Sequence, residues 1–231
     1  MRTFSKMLLV LTVLLAGMTA EAQRIYPGSK YVNNVLFTSF SVNYKLSMIV
    51  AGRTQPSFAQ MKDELRTTTL NGRKVVIRVQ AYSDGSVIDT SIADAKTYEP
   101  LYYSGVKAKK PVQLDFTTNR VKGKDSSTTV DVALSKPVFY SGFYDLLVRG
   151  ALLHTGYQET MPIYLNDVKG ESSVTVSVLR DEKLTGQPDA WVVETKINGT
   201  KTTMWIEKVK RGVLKQITDM TGNTQLLMEP M

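Results

Sequence analysis

The strongest constraint on the fold is a set of two-residue turns placed between segments of alternating polarity: Asn71-Gly72, Asp84-Gly85 and Asn198-Gly199. A type I′ hairpin needs φ > 0 at both central residues, and these dipeptides adopt that conformation most easily. Register tests the third turn. With Asn198-Gly199 as the loop, Ile197 faces Thr200, Val193 faces Met204 and Trp191 faces Ile206, all on one apolar face. Glu194, Lys196, Lys201 and Thr203 take the other face, and a slip of one residue would destroy that separation. Around Asp84-Gly85 the same pairing sets Ala81 against Ile88, Val79 against Thr90 and Ile77 against Ile92, with Arg78, Gln80, Asp89 and Ser91 on the reverse side.

Further strands read at Phe37–Met48, Gln113–Val121, Thr128–Ala133, Ser173–Arg180 and Val213–Asp219. Many strands joined by short turns indicate an antiparallel meander, and no glycine-rich strand-to-helix turn points to a nucleotide-binding α/β fold. The lysine-rich stretches Lys107–Lys110 and Lys122–Lys124 read as loops. Between Val138 and Leu153 the spacing changes. Phe139, Phe143, Leu146, Leu147 and Gly150 recur at helical intervals, after Pro137 and before Gly156. Asp145 and Arg149 stand four apart on another face of this helix. A second, weaker helical pattern follows Pro56, over Ser57–Arg66. The expected architecture is mainly β: an antiparallel meander curled into a roll or half-barrel, with one amphipathic helix at about 138–153 packed against it. Residues 23–231 form a single domain in this reading.

Residues 1–22 carry a different signal. Arg2 and Lys6 precede the apolar run Met7–Ala16, and Ala20-Glu21-Ala22 offers small residues for cleavage, leaving Gln23 as the new N-terminus. A membrane-spanning helix needs about 20 apolar residues, well beyond this run. The expectation is a cleaved export signal and a periplasmic location. With no cysteine in the chain, no disulfide, thiolate nucleophile or lipid-bearing N-terminal cysteine is available, so the core alone holds the fold and the released protein is not lipidated.

The residues offer little for catalysis. His154 is the single histidine and follows the end of the helical pattern, where it suits a contact with the helix C-terminus. Neither Ser104 nor Ser141 sits in a nucleophile elbow. The adjacent acids Asp63/Glu64 and Asp181/Glu182 read as exposed, and Asp84, Asp89 and Asp94 match no calcium loop. No metal ligands, no cofactor and no catalytic set are expected. The net charge of +8 is spread along the chain and reads as solvated surface; an exported protein does not ordinarily meet nucleic acid.

The segment Phe139-Tyr140-Ser141-Gly142-Phe143-Tyr144-Asp145-Leu146-Leu147-Val148-Arg149, then Gly156-Tyr157 and Thr160-Met161-Pro162-Ile163-Tyr164, resembles domain-of-unknown-function family 3108. Ala190-Trp191-Val192-Val193-Glu194, Met204-Trp205-Ile206-Glu207 and Gly212-Val213-Leu214-Lys215 extend that likeness through the C-terminal half. The resemblance implies an exported protein of Gram-negative bacteria, with a sheet rolled around a helix and no catalytic residues to carry over. Its plan is also similar to the half-barrel carriers that move lipoproteins between membranes, a likeness of fold only.

The function expected is therefore non-enzymatic binding of an apolar or amphiphilic envelope ligand, a lipid or lipoprotein among them. Phe143, Leu146 and Leu147 are the expected lining, although plain core filling explains the same residues. Trp205 lies opposite Val192, as a second core contact or as a ligand-stacking residue. Two alternatives stand beside this one: a glycan-binding or glycan-active protein, and a structural module that completes an outer-membrane complex through a sheet edge. Peripheral contact with the envelope is compatible with each.

Overall fold

The computed structural model describes residues 23–30, 39–84, 88–107 and 109–231. The export signal read in residues 1–22, the strand start at Phe37 and Gly85 of the second turn lie outside these residues. After the short strand β1 (Gln23–Arg24), the N-terminal meander comprises β2 (Phe40–Val50), β3 (Arg53–Thr54), β4 (Ala59–Leu70), β5 (Arg73–Tyr82), β6 (Ile88–Asp94), β7 (Pro100–Lys107), β8 (Lys110–Thr117), β9 (Arg120–Asp125) and β10 (Thr128–Ala133). A crossing segment follows, with β11 (Phe139–Tyr140), a 3₁₀ turn at Ser141–Phe143 and helix α1 (Tyr144–Gly150). The C-terminal meander contains β12 (Gln158–Leu165), β13 (Gly170–Lys183), β14 (Asp189–Ile197), β15 (Thr200–Glu207), β16 (Val213–Asp219) and β17 (Thr224–Pro230).

Each meander pairs with its sequence neighbours, and β17 then pairs antiparallel with β2, joining the two halves into one sheet. Strand β2 passes to β4 directly, with β3 beside its end. The sheet runs from β12 to β10 and stays open: among the described residues no backbone ladder links those two strands. The short strands β1 and β11 lie parallel against β12. Side chains nevertheless reach across the gap. The Phe116 and Tyr164 rings meet edge to face with centroids 5.5 Å apart. Lys169 Nζ lies 3.5 Å from Asp125 Oδ2.

The hairpin registers agree with the sequence pattern residue for residue. Val193 pairs with Met204 and Trp191 with Ile206, around a turn with Asn198 at φ 47° and Gly199 at φ 83°. Val79 pairs with Thr90 and Ile77 with Ile92. Strands β10 and β16 have the expected limits.

Four local expectations are corrected. Ser57–Arg66 is not helical: most of it belongs to β4, which pairs with both β2 and β5, so two ladders outweigh the helical spacing. Gln113–Val121 is not one strand but parts of β8 and β9 around a turn at 118–119, and Lys122–Lys124 is strand rather than loop. Gly123 explains that last miss. It sits in the ladder opposite Leu114 and Val130, where an added Cβ would lie 2.0 Å from the Gln113 carbonyl oxygen, so only glycine fits. The helix is shorter than 138–153, because Phe139–Tyr140 is extended along β12 and Ala151 turns away at ψ 159° to begin the return into the sheet.

The helix lies inside the curl. Phe143, Leu146 and Leu147 are fully buried among inward residues of both meanders, including Leu65, Val76, Leu114, Ile163, Val176 and Met204. A second, small cluster of Ala190, Val192 and Trp205 packs on the opposite face of the β14–β15 hairpin, under Leu184, Leu214 and Ile217.

Candidate functional site

Helix α1 is held to the N-terminal meander by one guanidinium. Arg78 points inward from β5, opposite Leu65 and Ser91, and is 5% exposed. Its Nε and Nη2 donate to the two carboxylate oxygens of Asp63 at 2.8 and 2.6 Å. Nη1 and Nη2 donate to the two oxygens of Asp145 at 2.6 and 2.9 Å, and Nη1 also donates to the Gly142 carbonyl at 2.6 Å. All five guanidinium N–H groups are thereby used, and none is left to bind a ligand. Burial alone would lower the Arg78 pKa; Asp145 and Asp63 outweigh it and raise the value well above the ordinary one. At the other end of the helix, Arg149 Nε donates to the Arg211 carbonyl at 2.8 Å, and its guanidinium lies 4.9 Å from the centre of the Phe40 ring. The helix thus bridges the two meanders by charge as well as by packing.

This arrangement corrects the reading of Asp63 as exposed: it is 2% exposed and bonded to Arg78. The polar reverse side of the β5–β6 hairpin is the interior side, because the charged helix face supplies a partner there. Farther along, half-buried Asp89 accepts from the Tyr103 hydroxyl at 2.9 Å. Burial pushes the Asp89 carboxyl above its ordinary range, opposed by Tyr103 and Arg78. The native state therefore holds this proton more tightly than the unfolded chain does. Its contribution to stability is present below the ordinary carboxylate pKa of about 3.9 and is lost as pH rises through the raised folded-state value. The stability of the parent minus that of Asp89→Asn should accordingly decline on going up from about pH 4. Parallel urea-unfolding profiles across that range would contradict this assignment.

The open space of interest is a cleft of about 420 Å³ at the mouth of the curl, beside the first residue of the helix. Tyr144 forms one side, with Leu165 and Asp167 from the end of β12. The facing wall is the inner side of β14–β16, where Thr195, Thr202 and Thr218 stand in one cross-strand row. Thr195 Oγ1 donates to the Thr202 carbonyl at 3.5 Å, and the Thr202 and Thr218 hydroxyls are 3.0 Å apart. Ile197, Asn198 and Thr200 complete the rim at the hairpin tip, with Asn198 Oδ1 accepting from the Ser172 hydroxyl at 2.8 Å. Burial raises the Tyr144 phenol pKa, with Asp145 adding to the rise and hydrogen bonds to Thr195 and Thr202 opposing it.

Of the side chains singled out as ligand lining, Phe143, Leu146 and Leu147 come together in the main core, and none of them lines this cleft. Trp205 lies apart from them in the outer cluster, with Lys215 Nζ 4.7 Å from its ring centre. His154 is exposed, with Nδ1 3.0 Å from the Thr155 carbonyl oxygen; the helix ends at Gly150, before it reaches this residue. Among the described residues no group of three or more His, Asp or Glu side chains could hold a metal ion. The residues that sequence reasoning passed over are the threonines, although the hairpin register already set Thr195 against Thr202 on the inward face.

Comparisons with known proteins give a family and a fold. No curated protein matches the chain. Among solved structures, a β-barrel-like protein of domain of unknown function DUF1849 from Brucella abortus superposes with a TM-score of 0.55 at 12% identity, covering 91% of this chain and 98% of that one. At such identity the likeness is one of fold. A DUF1329 family protein from Desulfovibrio piger ATCC 29098 reaches a TM-score of 0.31 at 9% identity, covering 87% of each chain, too distant to carry an argument. The family described as a protein of unknown function (DUF3108) matches residues 39–228, nearly all of the open barrel and its helix, and the chain belongs to that family.

Proposed function

We propose that the protein is an exported, non-enzymatic binding module that takes a small amphiphile into the cleft beside Tyr144. The observation carrying this reading is the cleft itself. Its volume of about 420 Å³ suits a small molecule, and its lining combines threonine hydroxyls with Leu165 and Ile197. The neighbouring groups support binding over chemistry: Arg78 has spent every donor on Asp63, Asp145 and the Gly142 carbonyl, and it holds the two carboxylates as ion-pair partners rather than as a free acid and base. The basic residues Arg2 and Lys6, the apolar run Met7–Ala16 and Ala20-Glu21-Ala22 support export to the periplasm as part of this reading.

Native mass spectrometry of the protein purified from its own envelope tests both parts. The expected result is a polypeptide mass beginning at Gln23 with a bound small molecule, and loss of that adduct in Thr218→Trp, which fills the cleft from a half-buried position. A chain retaining residues 1–22 would remove the export part. A bare polypeptide in repeated gentle preparations would remove the binding part.

A further inference from the structure

The cleft also carries information about its ligand, and the following rests on the reading that it is a ligand site. The chain has a net charge of +8, which would suggest an anionic partner. Its cleft says otherwise. None of the side chains lining it is Lys, Arg or His, and the one charged side chain there is Asp167. A phosphate or carboxylate head group would lose its hydration without gaining a countercharge from the lining.

The polar lining is hydroxyl-rich. Thr195, Thr202 and Thr218 form a row across three neighbouring strands, and Thr200 stands at the exposed rim. Each threonine hydroxyl has one donor and two acceptor lone pairs. Thr195 and Thr202 are almost wholly buried and already bonded, to the Tyr144 hydroxyl as well as along the row, so the hydroxyls with capacity open to the cleft are those of half-buried Thr218 and exposed Thr200. A ligand with a single polar atom would use little of it. One with several neighbouring hydroxyls would use much more, and its C–H surface would meet Leu165 and Ile197. We infer that the cleft binds a neutral glycosyl group, with its hydroxyls on Thr218 and Thr200.

The test uses the chain starting at Gln23, methyl-labelled at threonine and followed by NMR. It is titrated below micelle concentrations with octyl β-D-glucoside, methyl β-D-glucoside, octyl sulfate and tetraethylene glycol monooctyl ether. Octyl glucoside should give saturable shifts at the cleft threonines, and octyl sulfate and the glycol ether should bind more weakly. Thr218→Val should weaken the glucoside by about threefold to tenfold, the size of one lost hydrogen bond. Thr200→Val on the exposed rim provides a second variant should Thr218→Val fail to fold. Equal binding by methyl glucoside identifies a free sugar as the source and retains the glycosyl inference. Equal binding by all three octyl compounds, insensitive to both substitutions, overturns the glycosyl inference and leaves amphiphile binding standing. Tighter binding by octyl sulfate overturns it as well. Binding by none overturns both.

Discussion

Replacing Arg78 with methionine should lower the unfolding free energy by about 3–5 kcal/mol, because Asp63 and Asp145 would be left as carboxylates without their buried partner. Whole domains are stable by only about 5–15 kcal/mol, so the variant should unfold at a far lower urea concentration. The loss has a specific structural meaning. The guanidinium connects β4, β5, the Gly142 carbonyl and the first turn of α1. Removing all three charges, as Asp63→Leu, Arg78→Met and Asp145→Leu together, should recover most of the stability, because an apolar set of similar volume avoids the desolvation that the ion pairs must offset. A cost below about 1 kcal/mol for Arg78→Met, the ordinary range for surface changes and weak contacts, would show that the network does not anchor the helix.

That network also marks where the sequence stops being legible. The β5–β6 hairpin has the register read from its turn, so which residues share a face was recoverable from alternation alone. Which face turns inward was not. Arg78, Asp89 and Ser91 look like a solvated face until the helix, about 60 residues later in the chain, supplies Asp145 and Gly142. Asp63 was misread for the same reason. Its partner is on the next strand, and the helical spacing of Ser57–Arg66 concealed that Asp63 itself lies in a strand. Lys122–Lys124 reads as loop because two lysines around a glycine carry no visible alternation, yet Val121 and Gly123 are set by the backbone on either side of them. The cleft was half legible. The β14–β15 register places Thr195 opposite Thr202, and a polar pair on an otherwise apolar face is a local inconsistency of the kind that binding sites produce. Thr218 joins the row only through β16, past an irregularity between Trp205 and Ile206, and Tyr144 only through the tertiary position of the helix.

Phe143→Ala should also cost about 3–5 kcal/mol, the range for emptying a packed aromatic site. Phe143 is wholly buried in the 3₁₀ turn, with the Tyr98 ring edge-on to it at 6.1 Å and Leu146 and Leu147 beneath the same sheet. The substitution removes apolar burial and leaves a void between two meanders that the β17–β2 ladder joins into one sheet. Continuous ladders hold the strands around that space in register, so relaxation should recover little of the loss. The measurement that matters is stability together with binding. A residue lining the ligand cleft would change affinity with a modest effect on unfolding. A residue of the core should do the opposite, with a lower urea midpoint and cleft-threonine shifts that respond to octyl glucoside as in the parent under conditions where the variant stays folded. Loss of glucoside response with an unchanged midpoint would move the binding site from the threonine wall to the interior, and would return Phe143, Leu146 and Leu147 to the role of ligand lining.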